Sequence, residues 1–168
     1  MKNLLTIILL LLQLQLVAKE RYLIGFSQCG QRGDWRRNME AEMERELMFH
    51  PEFSIVMKQA LDDSKLQRKQ IKELINLGVD ILIISPNEIE PIQHEIEKIY
   101  KSGIPVILID RNIDSESYTA YIGGDNYEIG AYAADYLARK LNQKGNIIEI
   151  QGSLTTSPAV ERRRVMCP

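Results

Sequence analysis

The chain carries little with which to do covalent or metal chemistry. Its 168 residues include two cysteines, Cys29 and Cys167, and two histidines, His50 and His94. Two thiols so far apart make no disulfide framework, and none of the four residues has a second ligand at metal spacing. Cys29 reads as a plain buried or half-buried thiol. Both histidines read as surface residues, with no Ser, Cys or Asp partner suggested by position. No nucleophile elbow and no acid–base carboxylate pair emerges, so no catalytic residue, metal or cofactor is assigned and the chain is not read as an enzyme. Gly30 and Gly33 are too sparse for a phosphate cradle, which needs a pattern such as G-x-G-x-x-G or G-x-x-x-x-G-K-[ST]. Net charge is -2 at pH 7. No clustered basic surface follows from that balance, which argues against nucleic acid as a partner. A composition 45% hydrophobic and 26% charged is ordinary globular usage and not that of a disordered chain.

What is present begins with a leader-like N-terminus. Lys2 is followed by an unbroken apolar run of about nine residues, then QLQLVA, then the pair Lys19-Glu20. A basic start, a short apolar core and a small residue before a polar stretch describe a secretory signal peptide, with cleavage after Ala18. The run is shorter than the roughly 20 residues of a comfortable membrane span. An uncleaved signal anchor and a buried N-terminal helix are the alternatives.

From Arg21 the chain alternates between two periods. YLIGFS, FSIVMK, VDILIISP, IPVILID, YTAYIG and NIIEIQG read as six strands, the third and fourth as continuous apolar runs of the kind covered on both faces. Between them lie helical patterns. Asp34 is a possible cap for the first, with Trp35, Met39, Met43 and Leu47 at helical spacing. Leu66, Ile71, Leu74 and Ile75 form a face that ends at Gly78. Ile89, Ile92, Ile96 and Ile99 form another that ends at Gly103. Residues 126–141 make a fourth helix, and Pro158 opens a fifth. Strand–helix alternation with short connections predicts a doubly wound parallel sheet of α/β class, in the order 2-1-3-4-5.

In such sheets ligands sit beyond the carboxyl ends of the strands. Four loops lie there, and three of them carry candidate residues. The first holds Trp35 and Arg36. An aromatic face suits the C–H face of a sugar, although packing and surface roles are the bland alternatives. The loop after the fourth strand opens with Asp110-Arg111. A carboxylate accepting from hydroxyls beside a planar guanidinium donor is a grip for a polyol, or a local ion pair. The last loop leads to Arg162, Arg163 and Arg164, which alone would read as a solvated helix face.

The blocks LINLGVDILIISP, GIPVILIDRNI, YIGGDNYEIGAYAADYL and NIIEIQGSLTTSPAVERR resemble the ribose-type class of periplasmic sugar-binding proteins from about Arg21 to Arg164. The start SQCGQRGDWRRNM is most similar to the extracytoplasmic sensor domains of hybrid two-component histidine kinases. The resemblance implies two α/β lobes closing on one monosaccharide in the periplasm. It implies that Asp110 and Arg111 bond sugar hydroxyls from one lobe and Arg162 from the other. Trp35 and Arg36 fall where ribose binders carry two stacking phenylalanines; Trp35 keeps a ring face and Arg36 does not. The hinge crossing falls near Gly123-Gly124, giving a signal peptide over 1–18, a first lobe over 19–124 and the start of a second over 125–168. Members of the class run on for well over a hundred residues more, so the sequence is expected to be truncated and, by itself, to bind sugar weakly or not at all and to be only marginally stable. The implied partners are a sugar and either a sensor histidine kinase or an ABC transporter permease. The alternatives are the effector domain of a LacI-type repressor, whose DNA-binding helix-turn-helix has no counterpart here, and a doubly wound enzyme.

Overall fold

The computed structural model describes residues 21–30 and 33–166. The signal peptide expected over residues 1–18, and Cys167, lie outside them. The described chain runs β1 (Tyr22–Gln28), α1 (Asp34–Leu47), β2 (Phe53–Gln59), α2 (Ser64–Asn76), β3 (Ile81–Ser85), α3 (Ile89–Lys101), β4 (Val106–Ile109), β5 (Ala120–Ile122), α4 (Asn126–Lys140) and α5 (Ser157–Met166). The five strands form one parallel sheet in the order β2-β1-β3-β4-β5, as the alternation predicts.

Side chains alternate between the faces of a strand, and the register sorts them. Leu82 pairs with Val106, and Ile84 with Leu108. These four point to the face where α2 and α3 lie, and all are fully buried with Ile71, Leu74, Ile92 and Ile96. The helices present that stripe because their ends are well defined. The Asp63 carboxylate caps α2 by accepting from the Lys65 and Leu66 amides, a cap worth about 1 kcal/mol. Gly78 and Gly103 leave the helices with φ of 76° and 93°, a left-handed turn that glycine adopts without strain.

The second face departs from the expected double cover. Phe26 is fully buried there. Ile81, Ile83, Ile107 and Ile109 on the same face are only half-buried. The reason lies in α1, which carries no buried residue. It meets the sheet through polar pairs, Gln59 of β2 donating to Glu40 and Arg36 pairing with Asp110 beyond β4. Asp34 also differs from its expected role. Gly33 is the cap, without a side-chain bond, and Asp34 is the first helical residue, where its charge suits the helix dipole and pairs with Arg37.

A second departure concerns NIIEIQG. Residues 146–152 form no strand, and Ile148 and Ile150 are 92% and 95% exposed. A strand needs a neighbour for its backbone groups, and among the described residues none lies beside this segment. The α4–α5 pair that flanks it packs closely on itself. A methyl group at Gly130 would lie 2.4 Å from the Arg162 carbonyl oxygen, so only glycine permits this approach.

One polar network holds the carboxyl edge. Gln67 is fully buried on α2. Its Nε2 donates to the Ser85 carbonyl at 2.9 Å, and its Oε1 accepts from the Asn87 amide at 2.8 Å. Asn87 in turn donates to Ser64 Oγ at 2.9 Å. Removing this side chain leaves a buried amide and a buried carbonyl without partners. Gln67→Ala is therefore expected to lower stability by about 1–3 kcal/mol, read as a shift in the midpoint of urea unfolding. A loss below a few tenths would mean that water replaces both bonds.

Candidate functional site

Two strand ends and one helix bring the candidate residues to one edge: Trp35 and Arg36 follow β1, Asp110 and Arg111 follow β4, and Arg162 lies on α5. Asp110 follows β4 directly. Its backbone sits at φ 66°, a left-handed conformation that Asp tolerates better than most residues. Three contacts hold it there. The Asp110 amide donates to the Ile122 carbonyl at 2.9 Å. The Tyr121 hydroxyl donates to the Asp110 carbonyl at 3.2 Å. The Arg36 Nη2 donates to Asp110 Oδ2 at 3.1 Å, with both side chains largely shielded from water. A non-glycine residue in this region costs free energy and persists where its surroundings over-determine it, a condition common at binding sites.

Arg111 turns the other way. Its Nη1 donates to the Asn87 carbonyl at 2.6 Å and to the Pro86 carbonyl at 3.3 Å. The guanidinium thereby ties the loop after β3 to the loop after β4. Arg162 approaches from α5, where its Nε donates to Asn126 Oδ1 at 2.9 Å.

Arg36, Asp110, Arg111 and Arg162 line one cleft of about 600 Å³, together with residues 148–153 and Arg163. Trp35 begins α1 on the same edge of the sheet. It is 57% exposed and does not line this cleft. The lining holds four guanidinium groups against two carboxylates, Asp110 and Glu149. The cleft therefore presents more charged donors than charged acceptors.

A larger cleft of about 930 Å³ lies along α3 where it faces α4 and α5. None of Trp35, Arg36, Asp110, Arg111 or Arg162 lines it. Glu161 on its wall has a carboxyl raised above the ordinary carboxylate value. Burial is the main cause and Asp125 adds to it, while a bond from Asn126 and the charge of Arg162 oppose it. Burial likewise raises the Tyr121 hydroxyl, and Glu161 and Asp110 add to the effect.

The sequence left several supporting residues unmarked. Tyr121 and Asn126 each hold a candidate residue through a side chain, Asn87 holds Arg111 through its main-chain carbonyl, and Gln67 anchors the Asn87 loop. Asn87, directly after Ser85-Pro86, was the most legible of them, because Asn beside Pro marks a turn at a strand's carboxyl end.

A family model for the periplasmic binding protein domain matches residues 24–166. The ribose import binding protein of Bacillus subtilis is 27% identical over 144 residues, which cover 86% of this chain and 47% of that protein. The galactofuranose-binding protein of Escherichia coli is 26% identical, with 84% and 45% covered. Among solved structures, the fructose-binding periplasmic domain of a hybrid two-component system is 44% identical, with a TM-score of 0.83 over 87% of this chain and 48% of that one. These relatives are sugar-binding proteins rather than enzymes, and the chain spans less than half the length of each. With the 2-1-3-4-5 parallel sheet and a family match over nearly all of the described residues, the chain belongs to the periplasmic binding protein domain family.

Proposed function

We propose that this chain forms one jaw and the beginning of the opposing jaw of a monosaccharide-binding clamp on the periplasmic side of the membrane. The observation that carries the reading is the cleft in which Asp110, Arg111 and Arg36 face Arg162. Asp110 accepts from sugar hydroxyls, and the guanidinium groups donate to the ring and hydroxyl oxygens. Trp35 offers a ring face at the rim. The first jaw comprises residues 19–124 and the second begins at 125, with Met1–Ala18 as the export leader.

A sensor role, in which the clamp reports to a histidine kinase, is favoured over delivery to an ABC transporter permease. The 44% identity to the fructose-binding domain of a two-component system stands against 27% for the ribose import binding protein. No specific observation favours the repressor-effector or enzyme readings.

Clamp affinity comes from closing two surfaces on the ligand. Here the second surface offers one helix face and an extended segment. The chain itself is therefore expected to bind fructose or ribose with a dissociation constant in the millimolar range, about 4 kcal/mol. Titration of the isotope-labelled chain followed by NMR tests this. Shifts should converge on Asp110, Arg111 and Arg162 and spare α2. Absence of any shift there with fructose, ribose, galactose and xylose at about 10 mM would sink the sugar reading.

A further inference from the structure

Two backbone amides at the carboxyl edge find their acceptors at the start of α5 and in the loop before it. The Ile89 amide is the first of α3, where no intrahelical partner exists. The Glu88 side chain makes no cap bond to it. It donates instead to the Thr155 carbonyl at 3.0 Å. The Asn112 amide, one residue beyond Arg111, donates to Ser157 Oγ at 2.7 Å. Ser157 is only 4% exposed and opens α5. The two acceptors lie two residues apart on one loop, which is braced by the Thr156 hydroxyl donating to the Ser153 carbonyl at 2.8 Å. The two donors are held at fixed separation by Arg111, which ties the Asn87 carbonyl, two residues before Ile89, to its own loop.

We propose that Ser157 is a positioning residue of the cleft: its hydroxyl, acting with the Thr155 carbonyl, latches α5 onto the loops after β3 and β4 and so sets Arg162 opposite Asp110 without any ligand present. Arg162 lies five residues beyond Ser157 in the same helix, and the Gly130 contact fixes the helix from behind. Pinning the first residue of α5 therefore fixes where the guanidinium emerges. This deepens the clamp reading and rests on it for the role of Arg162, whereas the latch itself can be measured without sugar.

Amide hydrogen exchange on the 168-residue chain is the test. In the unaltered chain the Ile89 and Asn112 amides should both be protected, although neither has a partner within its own element. In Ser157→Ala both should exchange at least about tenfold faster. The decisive amide is Ile89, which is not bonded to Ser157 and moves only if the loop leaves as a unit. The Leu82 amide, bonded to the Pro105 carbonyl in the sheet at 3.0 Å, should keep its protection and so report that the sheet is folded. Ser157→Thr, which keeps the hydroxyl, should restore protection at both sites. Exposure of Asn112 alone in Ser157→Ala, or absence of protection at either amide in the unaltered chain, would overturn the latch. Fructose added to the unaltered chain separates the two ideas. Further slowing at both amides supports latch and sugar together, and unchanged exchange with both amides already protected upholds the latch and counts against the sugar.

Discussion

Leu82→Ala is expected to destabilise the chain by about 2–5 kcal/mol, enough to unfold a large fraction of a marginal domain. Leu82 is fully buried at the centre of the cluster formed by α2, α3 and the middle strands. Truncation removes its transfer free energy and leaves a cavity that the helices close only in part. Ile83 is its neighbour in the same strand and points to the other face, where it is half-buried. Ile83→Ala should cost no more than about half as much, because less apolar area leaves water on folding. Urea unfolding of the two variants side by side is the check. Equal losses would show that the face under α1 is as well covered as the face under α2 and α3.

That asymmetry also marks where the sequence stopped being informative. The strand order and the helices were legible because their signals are local. Periods of two and 3.6 residues and the stops at Gly78 and Gly103 all lie within the elements they define. Cover is not local. ILIIS reads as a buried strand whichever face has a helix on it, and the amount of cover depends on how far α1 reaches. NIIEIQG failed for the same kind of reason. Its residues favour a strand, but a strand exists only through the backbone of a neighbour, and the neighbour is not among the described residues.

The candidate site divides along the same line. Asp110 and Arg111 were found because loops after parallel strands converge at one edge, which follows from topology; Arg36 and Arg162 were marked by the resemblance to the sugar-binding class, since alone they read as surface arginines. Their partners could not be found so. That Arg36 pairs with Asp110, while Arg111 turns to the Pro86 and Asn87 carbonyls, is decided by distances between loops far apart in sequence. The adjacency of Asp110 and Arg111 suggests the opposite pairing. The structure thus gives the two residues different work: one carboxylate oriented by α1, and one guanidinium that braces two loops.

Asp110→Ala is expected to abolish sugar binding, both in this chain and in any longer form with a complete second jaw. A hydrogen bond from a hydroxyl to a charged acceptor contributes about 1.5–3 kcal/mol, or roughly ten- to a hundredfold in affinity for each one lost. From a millimolar starting point that places binding beyond detection by NMR titration. A second effect adds to the first. Without the carboxylate, Arg36 loses its partner at 3.1 Å, and the shielded guanidinium is oriented less firmly toward sugar hydroxyls. Alanine is also poorly suited to φ 66°, so part of any loss could come from the backbone. Asp110→Asn separates these contributions, because Asn tolerates the left-handed region and keeps one carbonyl acceptor while losing the charge. It should bind more weakly than the unaltered chain by about tenfold and leave the urea midpoint within about 1 kcal/mol. An Asp110→Asn chain that bound sugar as well as the original would show that the carboxylate serves only to hold Arg36, and that the donors alone recognise the ligand.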